Sequence, residues 1–124
     1  MQDYHQLEIW RRAMDYAVNI YEFSAAHLPA DERFNLTSQL RRAAVSVPLN
    51  IAEGCGCSTD SEFARFLGYA YRSLKEVVTC LELSGRLHPI PDGAAAPLID
   101  EGDQISRMTY ALMRRLAPGD SWPR

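Results

Sequence analysis

Leu36-Thr37-Ser38-Gln39-Leu40-Arg41-Arg42-Ala43-Ala44-Val45-Ser46-Val47-Pro48-Leu49-Asn50-Ile51-Ala52-Glu53-Gly54 is the stretch whose reading decides the fold. On a wheel of about 100° per residue, Leu36, Leu40, Ala44, Val47 and Ile51 fall on one narrow face. That is the stripe a helical bundle buries. Ser38, Val45, Leu49 and Ala52 fall on a second face, roughly opposite by the same geometry. Between the two runs a polar stripe of Gln39, Arg42, Ser46, Asn50 and Glu53. A helix that is apolar on two sides is usually covered on two sides. Pro48 has no N–H to donate and its ring crowds the Ala44 carbonyl, so a kink is expected there rather than a break. Gly54 and Gly56 are expected to end the helix by taking a left-handed cap conformation.

Working outward, the preceding segment reads as helix 1, over about residues 7–27. Leu7, Trp10, Met14, Ala17 and Tyr21 repeat at bundle-core spacing and are read as its core stripe. Ile9, Ala13, Tyr16, Ile20 and Phe23 repeat the spacing on an adjoining face, which widens the apolar arc to about half the helix. Pro29 stops helix 1, and Asp31 is the expected N-cap of helix 2, over about 33–54. Thr59-Asp60-Ser61-Glu62 fits a capping box that opens helix 3, over about 60–87. Phe63, Leu67, Ala70, Leu74, Val77 and Leu81 form its core stripe, and Arg65, Tyr69, Arg72 and Glu76 face outward. After the loop His88-Pro89-Ile90-Pro91-Asp92-Gly93, helix 4 is expected over about 97–117, with Pro97 in its first turn. Leu98, Ile105, Met108, Leu112 and Leu116 give it one narrow stripe, the mark of a peripheral helix. Residues 118–124 read as a loose tail with Trp122 as its one adhesive side chain. Four helices with short links make an all-α, antiparallel, up-down-up-down four-helix bundle in a single domain.

Bulk composition narrows the function classes. With 47% apolar and 23% charged residues over 124 positions, the chain supports one ordinary core. A net charge of −3 gives no general field for nucleic acid. Lys75 is the only lysine, so nearly all the cationic charge is arginine. Cys55, Cys57 and Cys80 are odd in number, and the N-terminal residues lack the pattern of a secretory leader; free thiols in the cytoplasm are expected. No apolar run is long enough to span a bilayer, so no membrane partner is expected.

The chemistry-bearing residues are sparse. Cys55-x-Cys57 is half of a zinc knuckle without its partner half, and Cys80 reads as a small core hydrophobe, so neither a metal nor another cofactor is expected. No nucleophile elbow, HExxH pair or glycine-rich phosphate loop occurs, and no catalytic residues are assigned. Arg65, Tyr69 and Arg72 share a face, an aromatic between two cations, which suits a nucleic-acid backbone. The plainer reading is a solvated face with a cation–π contact and an Arg72–Glu76 pair. The polar stripe from Gln39 to Glu53 reads as a hydrogen-bond network that fixes helix register, with a binding groove as the sharper alternative.

Beyond these patterns, the sequence resembles the four-helix-bundle family of 23S rRNA intervening-sequence proteins. The matching pieces are Leu7-x-Ile9-Trp10-x-x-Ala13, then Ile20-Tyr21, then Leu36-x-Ser38-Gln39-Leu40-Arg41-Arg42-Ala43-Ala44-x-Ser46-Val47 with Asn50-Ile51-Ala52-Glu53-Gly54. Glu62-Phe63-x-Arg65-Phe66-Leu67-x-x-Ala70 and Ser73-Leu74-x-Glu76 complete it, so the resemblance spans about residues 7 to 87. It implies a bundle that assembles as a homopentamer, with no enzymatic activity or established ligand. It also implies kinship with the pentameric accessory proteins of diversity-generating retroelements, which bind reverse transcriptase and nucleic acid. Cys55 and Cys57 stand where such relatives often carry a basic residue.

Three expectations follow for function. The first is a non-enzymatic homo-oligomer, pentameric by resemblance, that acts as a scaffold or binding protein. Its contact would run through the surplus apolar residues Ile9, Tyr16, Ile20 and Phe23 of helix 1 and Val45, Leu49 and Ala52 of helix 2. The second is an RNA- or DNA-binding accessory protein that uses Arg65, Arg72 or Arg42. The third is an enzyme whose site lies between subunits.

Overall fold

A computed structural model describes residues 3–119; Trp122 and most of the expected tail lie outside the described residues. The chain is all-helical, with α1 at Glu8–His27, α2 at Leu36–Cys55, α3 at Asp60–Leu87 and α4 at Asp92–Leu116. Short 3-10 turns at Tyr4–Gln6 and Ala30–Glu32 precede α1 and α2. Each helix packs on the next in sequence and α4 closes back on α1, which is the four-helix bundle the periodicity predicts. The α2–α3 and α3–α4 seams are more extensive than the two seams made by α1.

Capping chemistry explains two of the boundaries. Thr59 caps α3: its Oγ accepts the Glu62 N–H at 3.1 Å, and its hydroxyl donates to the Glu62 carboxylate at 3.1 Å. The capping box therefore works, although Glu62 grips the hydroxyl rather than the Thr59 backbone amide. Asp31 does not cap α2. It sits in the 3-10 turn, and α2 starts after Asn35, with its first amide, that of Leu36, donating to Glu32 Oε1 at 3.4 Å. Two connections at one end of the bundle are tied by His88 Nε2 and Glu32 Oε2, 2.6 Å apart, which joins the turn before α2 to the loop after α3.

α2 runs unbroken through Pro48 to Cys55. Gly54 and Gly56 do not end it by left-handed geometry, since no described glycine has positive φ. Gly54 has a different use. A Cβ there would lie 2.7 Å from Phe63 Cδ1 and 3.1 Å from Phe66 Cβ, so its bareness lets α3 approach α2 closely. Gly102 does the same in α4, where a Cβ would meet the Tyr16 hydroxyl at 2.5 Å and Val78 Cγ2 at 2.8 Å.

The core stripes of α2 and α3 lie where the wheel puts them. Leu40, Ala44, Val47 and Ile51 of α2 and Leu67, Ala70, Leu74, Val77 and Leu81 of α3 are fully buried. The stripe of α1 is inverted. Ile9, Ala13, Tyr16, Ile20 and Phe23 fill the core, while Met14 and Tyr21 are exposed. Both stripes share one spacing, so the wheel fixes the arc but not which edge turns inward. Tyr16 anchors the observed choice by donating its hydroxyl to the Leu98 carbonyl of α4 at 2.8 Å, and burial pushes its pKa up.

α4 begins at Asp92, ahead of the expected start, so Pro97 lies inside it. The residue whose carbonyl Pro97 leaves without a donor, Gly93, is exposed to water, which makes the interruption cheap. α4 is not peripheral either. It buries Gly102, Ile105, Ser106, Thr109 and Met113 along α3, a face displaced from the predicted stripe. Small residues let the helices close up, and the Thr109 hydroxyl is satisfied by the Ile105 carbonyl at 2.7 Å.

Candidate interaction surfaces

The surplus apolar faces of α1 and α2 meet as one groove of about 620 Å³. From α1 it takes Trp10, Met14, Val18 and Tyr21, and from α2 it takes Pro48 and Leu49. Val45 and Ala52 line it as well, so the three α2 residues assigned to a contact face are all present. The four α1 residues so assigned are not. Ile9, Tyr16, Ile20 and Phe23 are at most 5% exposed in the single chain and serve its own core. The outward residues are Met14 at 43%, Val18 at 57% and Tyr21 at 42%, facing Leu49 at 57%.

Both ends of the groove are held by side chains. At one end Trp10 packs edge-on against Tyr4 and His5, each with ring centroids 5.0 Å away. The Asp3 carboxylate accepts the His5 amide at 3.0 Å and caps the turn that carries both rings. At the other end the Arg41 guanidinium lies 4.6 Å from the Tyr21 ring centre and donates through Nε to buried Ser24 Oγ at 2.8 Å. On the far side of α1, Arg12 holds Glu101 of α4 at 2.6 and 3.0 Å and Gln104 at 2.8 Å. Its pKa is raised by that carboxylate. Sequence reasoning missed this cluster because its members are 89 and 92 residues apart in the chain.

The polar stripe of α2 is a seam to α3. Gln39 donates to Glu76, and Ser73 Oγ donates to Ser46 Oγ at 2.9 Å. Asn50 Nδ2 donates to Ser46 Oγ and to the Ser46 carbonyl, each at 2.8 Å. Arg42 and Glu53 are exposed beside this seam. The hydrogen bonds of the stripe are made by Gln39, Ser46 and Asn50, and its other two members face solvent.

Arg65, Tyr69 and Arg72 are all exposed on α3. Their partners differ from the plainer expectation. The guanidinium of Arg65 lies 5.8 Å from the Phe66 ring, and Tyr69 packs edge-on against the same ring at 5.5 Å. Among the described residues no ion pair joins Arg72 to Glu76, whose carboxylate is taken by Gln39.

The cysteines are separate free thiols. Cys55 and Cys80 are buried, which pushes both thiols up in pKa and away from reactive thiolate. Half-buried Cys57 donates to the Glu53 carbonyl at 3.6 Å. Among the described residues no cluster of three His, Cys, Asp or Glu side chains could hold a metal ion, and no helix is long and apolar enough to cross a membrane.

The fold and its surfaces define a class: a small antiparallel helical bundle with an unclosed apolar groove on one side. Residues 5–111 match the family described as 23S rRNA-intervening sequence protein, and the chain belongs to that family. It is similar to the crystal structure of a protein of unknown function from the S23 ribosomal protein family of Bacteroides thetaiotaomicron. The TM-score is 0.76 at 20% identity, over 86% of this chain and 98% of that one, a likeness of fold. No curated protein matches this chain.

Proposed function

We propose that the protein is a non-enzymatic, cytoplasmic homo-oligomer that serves as a scaffold, assembled through the α1/α2 groove. The observation that carries this reading is the groove itself, in which four large apolar side chains are 42–57% exposed along one continuous face. Contiguous apolar side chains exposed on one face mark interaction surfaces. Each of the four is already about half covered, so burying the remainder contributes about half of the roughly 1.5–3 kcal/mol that a fully exposed side chain would give. Several of them, counted on both sides of repeated contacts, are of the size needed to offset an association cost of about 4–15 kcal/mol. A pentamer is the assembly that the family resemblance implies; the groove by itself calls only for a partner copy. Sedimentation of the purified protein tests the reading. The wild type should run as a multiple of 14.0 kDa, and Val18→Asp with Leu49→Asp should run at 14.0 kDa while still folded.

A second reading, nucleic-acid binding, draws on one observation. Arg42, Arg65 and Arg72 are exposed along the α2/α3 edge, with Tyr69 beside them and no ion pair to any described carboxylate. Copies of that edge around an oligomer would concentrate positive charge despite the net charge of −3 per chain. Binding of this kind weakens steeply with salt, and Arg65→Ala with Arg72→Ala should flatten the slope. No binding to single- or double-stranded RNA or DNA at low salt would dismiss it.

A further inference from the structure

We propose that the cleft between α3 and α4 binds a small aromatic anion of the nucleoside-monophosphate class. The cleft has a volume of about 500 Å³, within the range of small-molecule sites. It lies on the α3/α4 side of the bundle, away from the α1/α2 groove.

Its lining supplies the three kinds of contact such a ligand needs. Tyr71 and Tyr110 form an aromatic wall, with ring centroids 5.9 Å apart and planes inclined at 44°. Lys75, with Nζ 5.0 Å from the Tyr71 ring centre, and exposed Arg107 bring two cations. Neither cation is ion-paired among the described residues, although Asp103 lines the same cleft. Two cations against one carboxylate leave the cleft net positive, which suits a phosphate monoester. The Asp103 carboxylate suits a sugar hydroxyl or an exocyclic amine, which separates a nucleotide from a plain aromatic acid.

Ser106 gives an independent sign. It lines the cleft at 2% exposure, and its Oγ is buried with no hydrogen-bond partner. Buried hydroxyls inside a helix usually turn back to the carbonyl four residues earlier. Ser84 does so on Cys80, and Thr109 does so on Ile105, each at 2.7 Å. Ser106 does not, so its Oγ is a polar atom in the cleft wall that the chain itself leaves without a partner.

Calorimetric titration of the whole protein with adenosine 5′-monophosphate at low salt tests the proposal. Adenosine alone and inorganic phosphate alone serve as parallel arms. The monophosphate should bind with a Kd below about 1 mM, and each half-ligand should bind about tenfold or more weakly. Lys75→Gln with Arg107→Gln should weaken binding about tenfold or more, at unchanged helical content by circular dichroism. Three results would overturn the proposal: no binding of the monophosphate at 25 °C or on cooling, equal binding of phosphate alone, or unchanged affinity in the folded double variant.

Discussion

α2 shows two different edges to its neighbours. Toward α3 it presents Gln39, Ser46 and Asn50, and each finds a side-chain or backbone partner within the chain. Toward α1 it presents Val45, Leu49 and Ala52, which reach only the walls of an open groove. The first edge is finished by hydrogen bonds, which demand specific partners at specific distances. The second relies on apolar area, which any matching surface satisfies. A single chain completes the directional contacts of the first edge and leaves apolar area on the second uncovered, where the proposed assembly would cover it.

The largest effect that would break this comparison comes from moving one charge between the two sides of α1. Ile20 is fully buried, so Ile20→Asp places an unpaired carboxylate in the core at a cost of about 3–5 kcal/mol or more. Chemical denaturation should show a largely unfolded chain. Leu49→Asp lies on the groove and should change the stability of the isolated subunit by no more than about 0.5 kcal/mol, while abolishing assembly. Equal melting losses in the two variants would erase the distinction between core and groove.

A smaller effect sharpens the finished edge. Gly54→Ala forces a Cβ against Phe63 and Phe66, and overpacking of this kind costs about 1–3 kcal/mol. Gly85→Ala, in the same bundle, meets nothing within 4 Å and should instead gain about 0.5–1 kcal/mol from helix propensity. Opposite signs in thermal denaturation are expected. Smaller still, Ser46→Ala removes the shared acceptor of Asn50 and Ser73, and should cost about 1 kcal/mol by denaturant titration.

The same contrast explains what could be read from sequence. The α3 core stripe is legible as one apolar arc at helical spacing, and that of α2 because a polar stripe separates Leu40, Ala44, Val47 and Ile51 from its second apolar face. The α1 arc was legible only as an arc. Leu7-Trp10-Met14 and Ile9-Ala13-Tyr16 have equal claims on a wheel, and the choice depends on the Tyr16 bond to Leu98, a contact 82 residues away. The start of α4 is not legible, since Pro97 has the marks of a first-turn residue while the exposed Gly93 lets the helix begin earlier. Gly54 was recognised as special, but for its torsion freedom; its real service is space for α3. The α1/α2 groove was half legible, through Val45, Leu49 and Ala52. The α3/α4 cleft was not, since its six residues come from two helices with no local motif.

In the proposed assembly, another copy of the chain closes the α1/α2 groove. Sedimentation equilibrium at micromolar concentration tests it most directly, with the wild type beside Val18→Asp with Leu49→Asp. A groove closed in this way requires a wild-type mass of at least twice 14.0 kDa and a folded double variant at 14.0 kDa. A wild-type mass of 14.0 kDa would contradict it.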